Sequence, residues 1–136
     1  MREQQHFENN MHIRFRDLDA IGHVNNAVYF SYFEDTREAL LRFMGLDFED
    51  PEVFFILAHI ECDYFRPIVM RSNIVIRVRC SKIGTKSFTF TYTVRDKDDE
   101  SITYAKGESV QVCMDPTANR AIAVSQKLRA KLEEIL

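Results

Sequence analysis

The chain has 136 residues, 46% of them hydrophobic and 29% charged, which suits a globular domain and excludes a disordered or fibrous chain. Its formal net charge is -3 and it holds no basic block, so nucleic acid is not expected as a main partner. Residues 1–136 read as a single domain, long enough to bury a core without disulfides or metals.

The first ten residues, MREQQHFENN, lack the apolar stretch of a secretory leader, and no run of 18 apolar residues exists to span a membrane. Cys62, Cys80 and Cys113 are odd in number, widely spaced and set in apolar or strand-like contexts. They read as buried thiols of a cytoplasmic protein. No CxxC or HExxH spacing points to a metal.

Residues His12 to Arg16 (HIRFR) alternate and predict a first strand. Asp17 to Asn25 follow as a loop. Asn26 to Met44 predict a helix ended by Gly45, a favourable residue just past a helix end. Ser31, Asp35, Glu38 and Arg42 form one polar stripe on it, and most of its other residues are apolar. Such a wide apolar arc does not suit a helix lying flat on a surface. Something has to wrap around it.

Phe54 to Phe65, Asn73 to Lys82, Lys86 to Arg95 and Ile102 to Met114 predict strands, with turns at Gly84 and at Asp96–Glu100. In KSFTFTYTVR, Phe88, Phe90, Tyr92 and Val94 share one face, and Ser87, Thr89, Thr91 and Thr93 the other. Val124 to Leu136 predict an amphipathic terminal helix. One greasy helix followed by long successive strands implies an α+β fold, an antiparallel sheet curled around that helix.

The chemistry-bearing groups concentrate in DLDAIGHVNN, Asp17 to Asn26. Asp17 and Asp19 read first as caps for free backbone N–H groups, and the functional alternative is that one carboxylate faces a reacting centre while the other holds the loop. Gly22 allows a positive φ and a close backbone approach. Asn25 and Asn26 open the predicted helix, whose N–H groups and positive dipole end suit a developing oxyanion. His23 is a proton carrier, a binding residue or a satisfied loop histidine. Glu34 and Arg37 stand at i, i+3 spacing, where an ion pair is the default expectation and an interface or site role, on a helix this buried, the alternative. His6, His12 and His59 show no partner pattern.

The stretch from Arg14 to Leu41, RFRDLDAIGHVNNAVYFSYFEDTREALL, resembles the signature of hotdog-fold acyl-CoA thioesterases, closest to the 4-hydroxybenzoyl-CoA thioesterase family. That pattern is roughly D-x-D-x-x-G-x-V-x-x-x-x-Y, followed by an aromatic helix with an acid and an arginine. Asp17, Asp19, Gly22, Val24, Tyr29, Glu34 and Arg37 fit it, and the likeness continues through Tyr64, Arg66-Pro67 and Lys86-Ser87-Phe88. The resemblance implies the hotdog fold, a long antiparallel sheet around one central helix, and a homodimer or homotetramer with sites at the dimer interface.

It also implies hydrolysis of an acyl-CoA thioester, with coenzyme A as part of the substrate and no separate cofactor. Asp19 then carries the chemistry as nucleophile or general base, and the Asn26 N–H polarises the carbonyl. Gly22, His23, Val24 and Asn25 shape the substrate site, with Lys86 and Ser87 placed for a coenzyme A phosphate. The HVNN segment is also similar to plant-type acyl-carrier-protein thioesterases, although Ile21 stands where those carry an asparagine. A carrier-protein substrate, or a domain that binds acyl thioesters without turnover, are the alternatives.

Overall fold

The alternating residues of the predicted strands pair into one antiparallel sheet. In this computed structural model, which describes residues 6–136, it comprises β1 (Phe7–Met11), β2 (Phe55–Tyr64), β3 (Ile74–Ile83), β4 (Ser87–Asp96), β5 (Thr103–Asp115) and the short β6 (Arg120–Ala121). The strand order is β1-β3-β4-β5-β2, with β6 paired to the end of β5. Two hairpins join β3, β4 and β5. Gly84 N–H donates to the Ser87 carbonyl at 2.7 Å in the first turn, and Asp96 N–H to the Ile102 carbonyl at 3.0 Å in the second. β2 pairs with β5 alone among the described strands, so its other edge is open.

Helix α1 (Val28–Phe43) lies on this sheet. Its buried residues are Tyr29, Tyr32, Phe33, Thr36, Arg37, Leu40 and Leu41, while Ser31, Asp35, Glu38 and Arg42 are exposed, as the polar stripe requires. Phe33 has no exposed surface and stacks on Tyr92 of β4 at 4.4 Å between ring centres. The ring fits because β5 carries Gly107 beneath it. A Cβ there would stand 2.5 Å from Phe33 Cε2, far inside van der Waals contact. The glycine thus allows helix and sheet to approach closely there.

The second helix, α2 (Gln126–Glu133), is capped by Ser125, whose hydroxyl accepts from Leu128 N–H at 3.1 Å. Leu128 and Leu132 are fully buried. The pairing of β3 with β4 shifts register between Cys80 and Lys82, and there Cys80 N–H donates instead to the Ile135 carbonyl at 2.9 Å. The chain's end thereby satisfies a donor that the ladder leaves free. Among the described residues no helix is long and apolar enough to cross a membrane.

Four of the expected strands match to within a residue or so. Three boundaries differ. His12–Arg16 is not a strand; the first strand is Phe7–Met11, and Phe15–Asp17 forms a 3-10 turn. The pairing of Phe7–Met11 with β3 decided that placement over local alternation. The central helix begins at Val28 rather than Asn26, and the last helix spans eight residues rather than thirteen. Phe43 is 72% exposed, so the apolar arc of α1 narrows at its end, where Phe43 meets Phe7 at 5.0 Å. The polar N-terminal stretch extends over five residues that lie outside those described.

Candidate active site

The loop before α1 folds on its own carboxylates. Asp17 is the structural one. Its Oδ2 accepts from Arg14 N–H at 2.9 Å and from the Tyr32 hydroxyl at 2.7 Å, and its carbonyl accepts from Asn25 N–H at 2.9 Å. One side chain thus ties the 3-10 turn to the first turns of the helix. Burial, reinforced by the adjacent Asp17 carboxylate, pushes the Tyr32 phenol far above its usual range, so the phenol remains a donor.

Asp19 is used differently. Its Oδ1 accepts from Ile21 N–H at 3.0 Å and His23 N–H at 3.1 Å, and its backbone pairs with His23 and Gly22. The reversal this demands falls on Gly22, at φ 79°, a conformation that L side chains rarely adopt. Oδ2 of Asp19 accepts no bond from any described residue. The side chain is exposed and lines a cleft of about 360 Å³ together with His23, Val24, Asn26, Tyr29 and Tyr64.

Asn26 does not open the helix. Ala27 is the N-cap, without a side-chain cap, and Asn25 shapes the turn before it, its Oδ1 accepting from Ala27 N–H and its carbonyl from Val28 N–H, both at 2.9 Å. The Asn26 N–H, between them, donates to no described group. Its carbonyl is held by the Tyr64 hydroxyl at 2.7 Å, which fixes that peptide. Tyr64 in turn meets Tyr29 edge-on at 4.8 Å. Burial pushes the Tyr29 phenol up to about 12, so it too stays protonated at neutral pH.

The sequence-derived residues thus divide. Asp19, His23, Val24 and Asn26 come together in the cleft; Gly22 and Asn25 shape its backbone; Lys86 and Ser87 do not line it. Lys86 is exposed just ahead of β4, with its carbonyl accepting from Cys113 N–H at 2.9 Å. Tyr29, Tyr64 and Arg66, all positions through which the family likeness runs, line the cleft as well. The signal for two of them was the Tyr64, Arg66-Pro67 cluster at the end of a predicted strand. The expected Glu34–Arg37 ion pair does not form; Arg37 turns inward to the Tyr92 hydroxyl at 3.1 Å. Burial of the aromatic neighbourhood outweighs a weak surface pair. The cysteines are free, and burial pushes each thiol up to about 11, away from nucleophilic use.

Asp19, with an unused carboxylate oxygen, and Asn26, with an unused peptide N–H, therefore line one cleft at the start of a helix packed on an antiparallel sheet. The fold is that of the hotdog thioester hydrolases, and the chain belongs to the thioesterase-like superfamily, whose family profile matches residues 13–132. It is similar to the 1,4-dihydroxy-2-naphthoyl-CoA hydrolase of Rippkaea orientalis, 31% identical over 120 residues, 85% of this chain and 87% of that one. It is also similar to the long-chain acyl-CoA thioesterase FadM of Escherichia coli, 27% identical over 131 residues, 91% and 95% of the two chains. Among solved structures it resembles a thioesterase from Thermus thermophilus complexed with coenzyme A and Zn, at 30% identity and a TM-score of 0.78, covering 94% and 92%.

Proposed function

We propose that this protein hydrolyses the thioester bond of an acyl-CoA at the cleft between Asp19 and Asn26. The observation that carries the reading is the pair of groups on its lining residues, a carboxylate oxygen and a peptide N–H, that have no partner among the described residues. The thioester carbonyl oxygen accepts from the Asn26 N–H, near the positive end of α1, where charge that develops on that oxygen is stabilised. The free oxygen of Asp19 meets the carbonyl carbon in one of two ways. It attacks directly, expelling the thiolate and leaving a mixed anhydride that water then hydrolyses, or it takes the proton of a water that attacks instead. Both routes release the acid and coenzyme A. The thiolate leaves readily, so neither needs a strong acid.

Within one chain Arg66 is the cation at the cleft, and Lys86 is not. Arg66 is thus the group placed to meet a coenzyme A phosphate from the same chain. The working unit of this reading is a homodimer. β2 offers an unpaired strand edge with Ile56, Leu57 and Tyr64 half exposed, and an edge of that kind is normally covered. Pairing with β2 of a second copy covers it and makes one continuous sheet.

The test is thiol release from a panel of acyl-CoAs, short to long chain and aromatic, by the wild type and by Asp19→Asn. Release by the wild type, reduced about 10²-fold or more in the variant, is expected from loss of a positioned acid–base group. Full activity in a folded Asp19→Asn protein overturns the mechanism. No release from any substrate overturns the acyl-CoA reading.

A further inference from the structure

A second and larger cleft, of about 710 Å³, lies farther along α1. Its walls are Leu41, Leu46, Phe48, Phe55 and Leu57. A surface of this kind takes hydrocarbon, yet Arg37 also lines it. That side chain is 8% exposed, and a guanidinium so buried normally sits against a carboxylate. Here it does not. None of Glu34, Glu38 and Asp47, the exposed acids at the same cleft, pairs with it, and Glu38 is engaged by Arg42 at 3.5 Å.

One guanidinium nitrogen, Nη1, donates to the Tyr92 hydroxyl, which also lies 2.6 Å from the Ser109 hydroxyl. Ser109 bonds Gln111, and Gln111 donates to the Phe88 carbonyl at 3.1 Å. This chain of side chains crosses β4 and β5 inside the core and ends on the backbone. It holds the guanidinium in place. The other two nitrogens, Nε and Nη2, donate to no described group, and neither is sealed inside protein. Arg37 therefore presents fixed, unused donors to a cleft that combines an apolar wall with charged side chains.

We infer that this cleft receives the far end of the acyl group, and that Arg37 selects acyl groups carrying an oxygen acceptor there, a hydroxyl or a carboxylate, over plain hydrocarbon ones. The inference rests on the thioesterase reading above and on its dimer. The two clefts lie at opposite ends of β2: Tyr64 lines one, Phe55 and Leu57 the other. Nine strand steps, roughly 30 Å, separate those ends within one chain. Antiparallel pairing of β2 with β2 of a second copy sets the Tyr64 end of one chain beside the Phe55 end of the other. The Arg37 cleft of one copy then continues the Asp19 cleft of its partner. Because a guanidinium left facing hydrocarbon keeps its donors unpaired, an acyl group without an acceptor is disfavoured rather than merely unhelped.

The experiment compares kcat/KM for plain, ω-hydroxy and ω-carboxy acyl-CoAs matched in length, from medium to long chain. At the length that best fits, an oxygen-bearing member should exceed its plain counterpart by about tenfold or more, on the scale of a hydrogen bond to a charged group. Whichever of the two leads identifies the acceptor. Arg37→Met should collapse the ratio toward one, chiefly through KM, while Arg37→Lys retains part of it. A wild type indifferent to the oxygen at every length, or favouring the plain chain, overturns the inference without any variant having to fold. Hydrolysis of nothing in the set overturns the thioesterase reading instead. The same intact acyl-CoAs then test Arg37 by thermal shift, where a larger shift for the oxygen-bearing members is expected and equal shifts overturn the inference.

Discussion

The loop leading into α1 and the hairpin turn between β4 and β5 are two of the carboxylate-bearing loops of this protein. They use the same local geometry. Asp96 Oδ1 accepts from Asp98 and Asp99 N–H, both at 2.9 Å, much as Asp19 Oδ1 accepts from Ile21 and His23 N–H. The second oxygen separates them. Asp96 Oδ2 accepts from the Tyr104 hydroxyl at 3.1 Å, whereas Asp19 Oδ2 has no partner among the described residues and Asp19 lines a cleft together with Asn26, whose N–H is also unused there. Density of polar residues therefore marks a turn. The proposed site adds to such a turn a free carboxylate oxygen and a free peptide N–H on residues that line one cleft.

The sharpest way to break that contrast is at the N–H. Asn26→Ala keeps it and Asn26→Pro removes it, while both discard the side chain. The reading expects turnover near wild type for Asn26→Ala and a fall of about 10²- to 10³-fold in kcat for Asn26→Pro, the scale of losing an oxyanion donor. Equal activity in the two, with both folded by circular dichroism, removes the peptide from the mechanism.

A smaller effect sharpens the contrast between Asp17 and Asp19. Tyr32→Phe deletes the hydroxyl that donates to Asp17 Oδ2 and leaves Asp19 untouched. Urea unfolding should show a loss of about 0.5–1.5 kcal/mol. Turnover should fall far less than in Asp19→Asn. A fall as deep as that of Asp19→Asn would mean that Asp17 does more than hold the loop.

Much of this was legible from the sequence, and unevenly so. The four long strands and the core of α1 follow from periodicity because those residues satisfy their own pattern: Phe88, Phe90, Tyr92 and Val94 are all buried. β1 was hidden because FENNM carries its pairing in polar side chains. Glu8 meets Arg77 at 2.9 Å and Arg95 at 3.0 Å, and Asn9 bonds Thr36 at 3.3 Å, partners remote in the chain. Of the site, the motif singled out Asp19 and Asn26, but spacing alone does not tell which aspartate keeps a free oxygen. Tyr64 reaches the cleft only through the sheet, and Arg37 turns inward only because Tyr92 and Ser109 wait there.

The smallest expected effect tests the other half of the contrast. Backbone donors from Asp99 and Asp98, with the Tyr104 hydroxyl, hold the Asp96 carboxyl below its usual range. A group depressed in the folded state stabilises it at pH values above the unfolded value of about 4, and that contribution is lost as pH falls through the folded one. Asp96→Asn cannot titrate but can still accept the same N–H bonds. Its urea midpoint should therefore fall slightly less than that of the wild type between pH 6 and pH 3, with turnover at pH 7 unchanged. Asp99 and Asp115 are held low in the same manner, so the acid limb of stability persists in the variant. If Asp96→Asn instead lost activity on the scale of Asp19→Asn, a free second oxygen would not be what distinguishes a catalytic aspartate from a capping one in this fold.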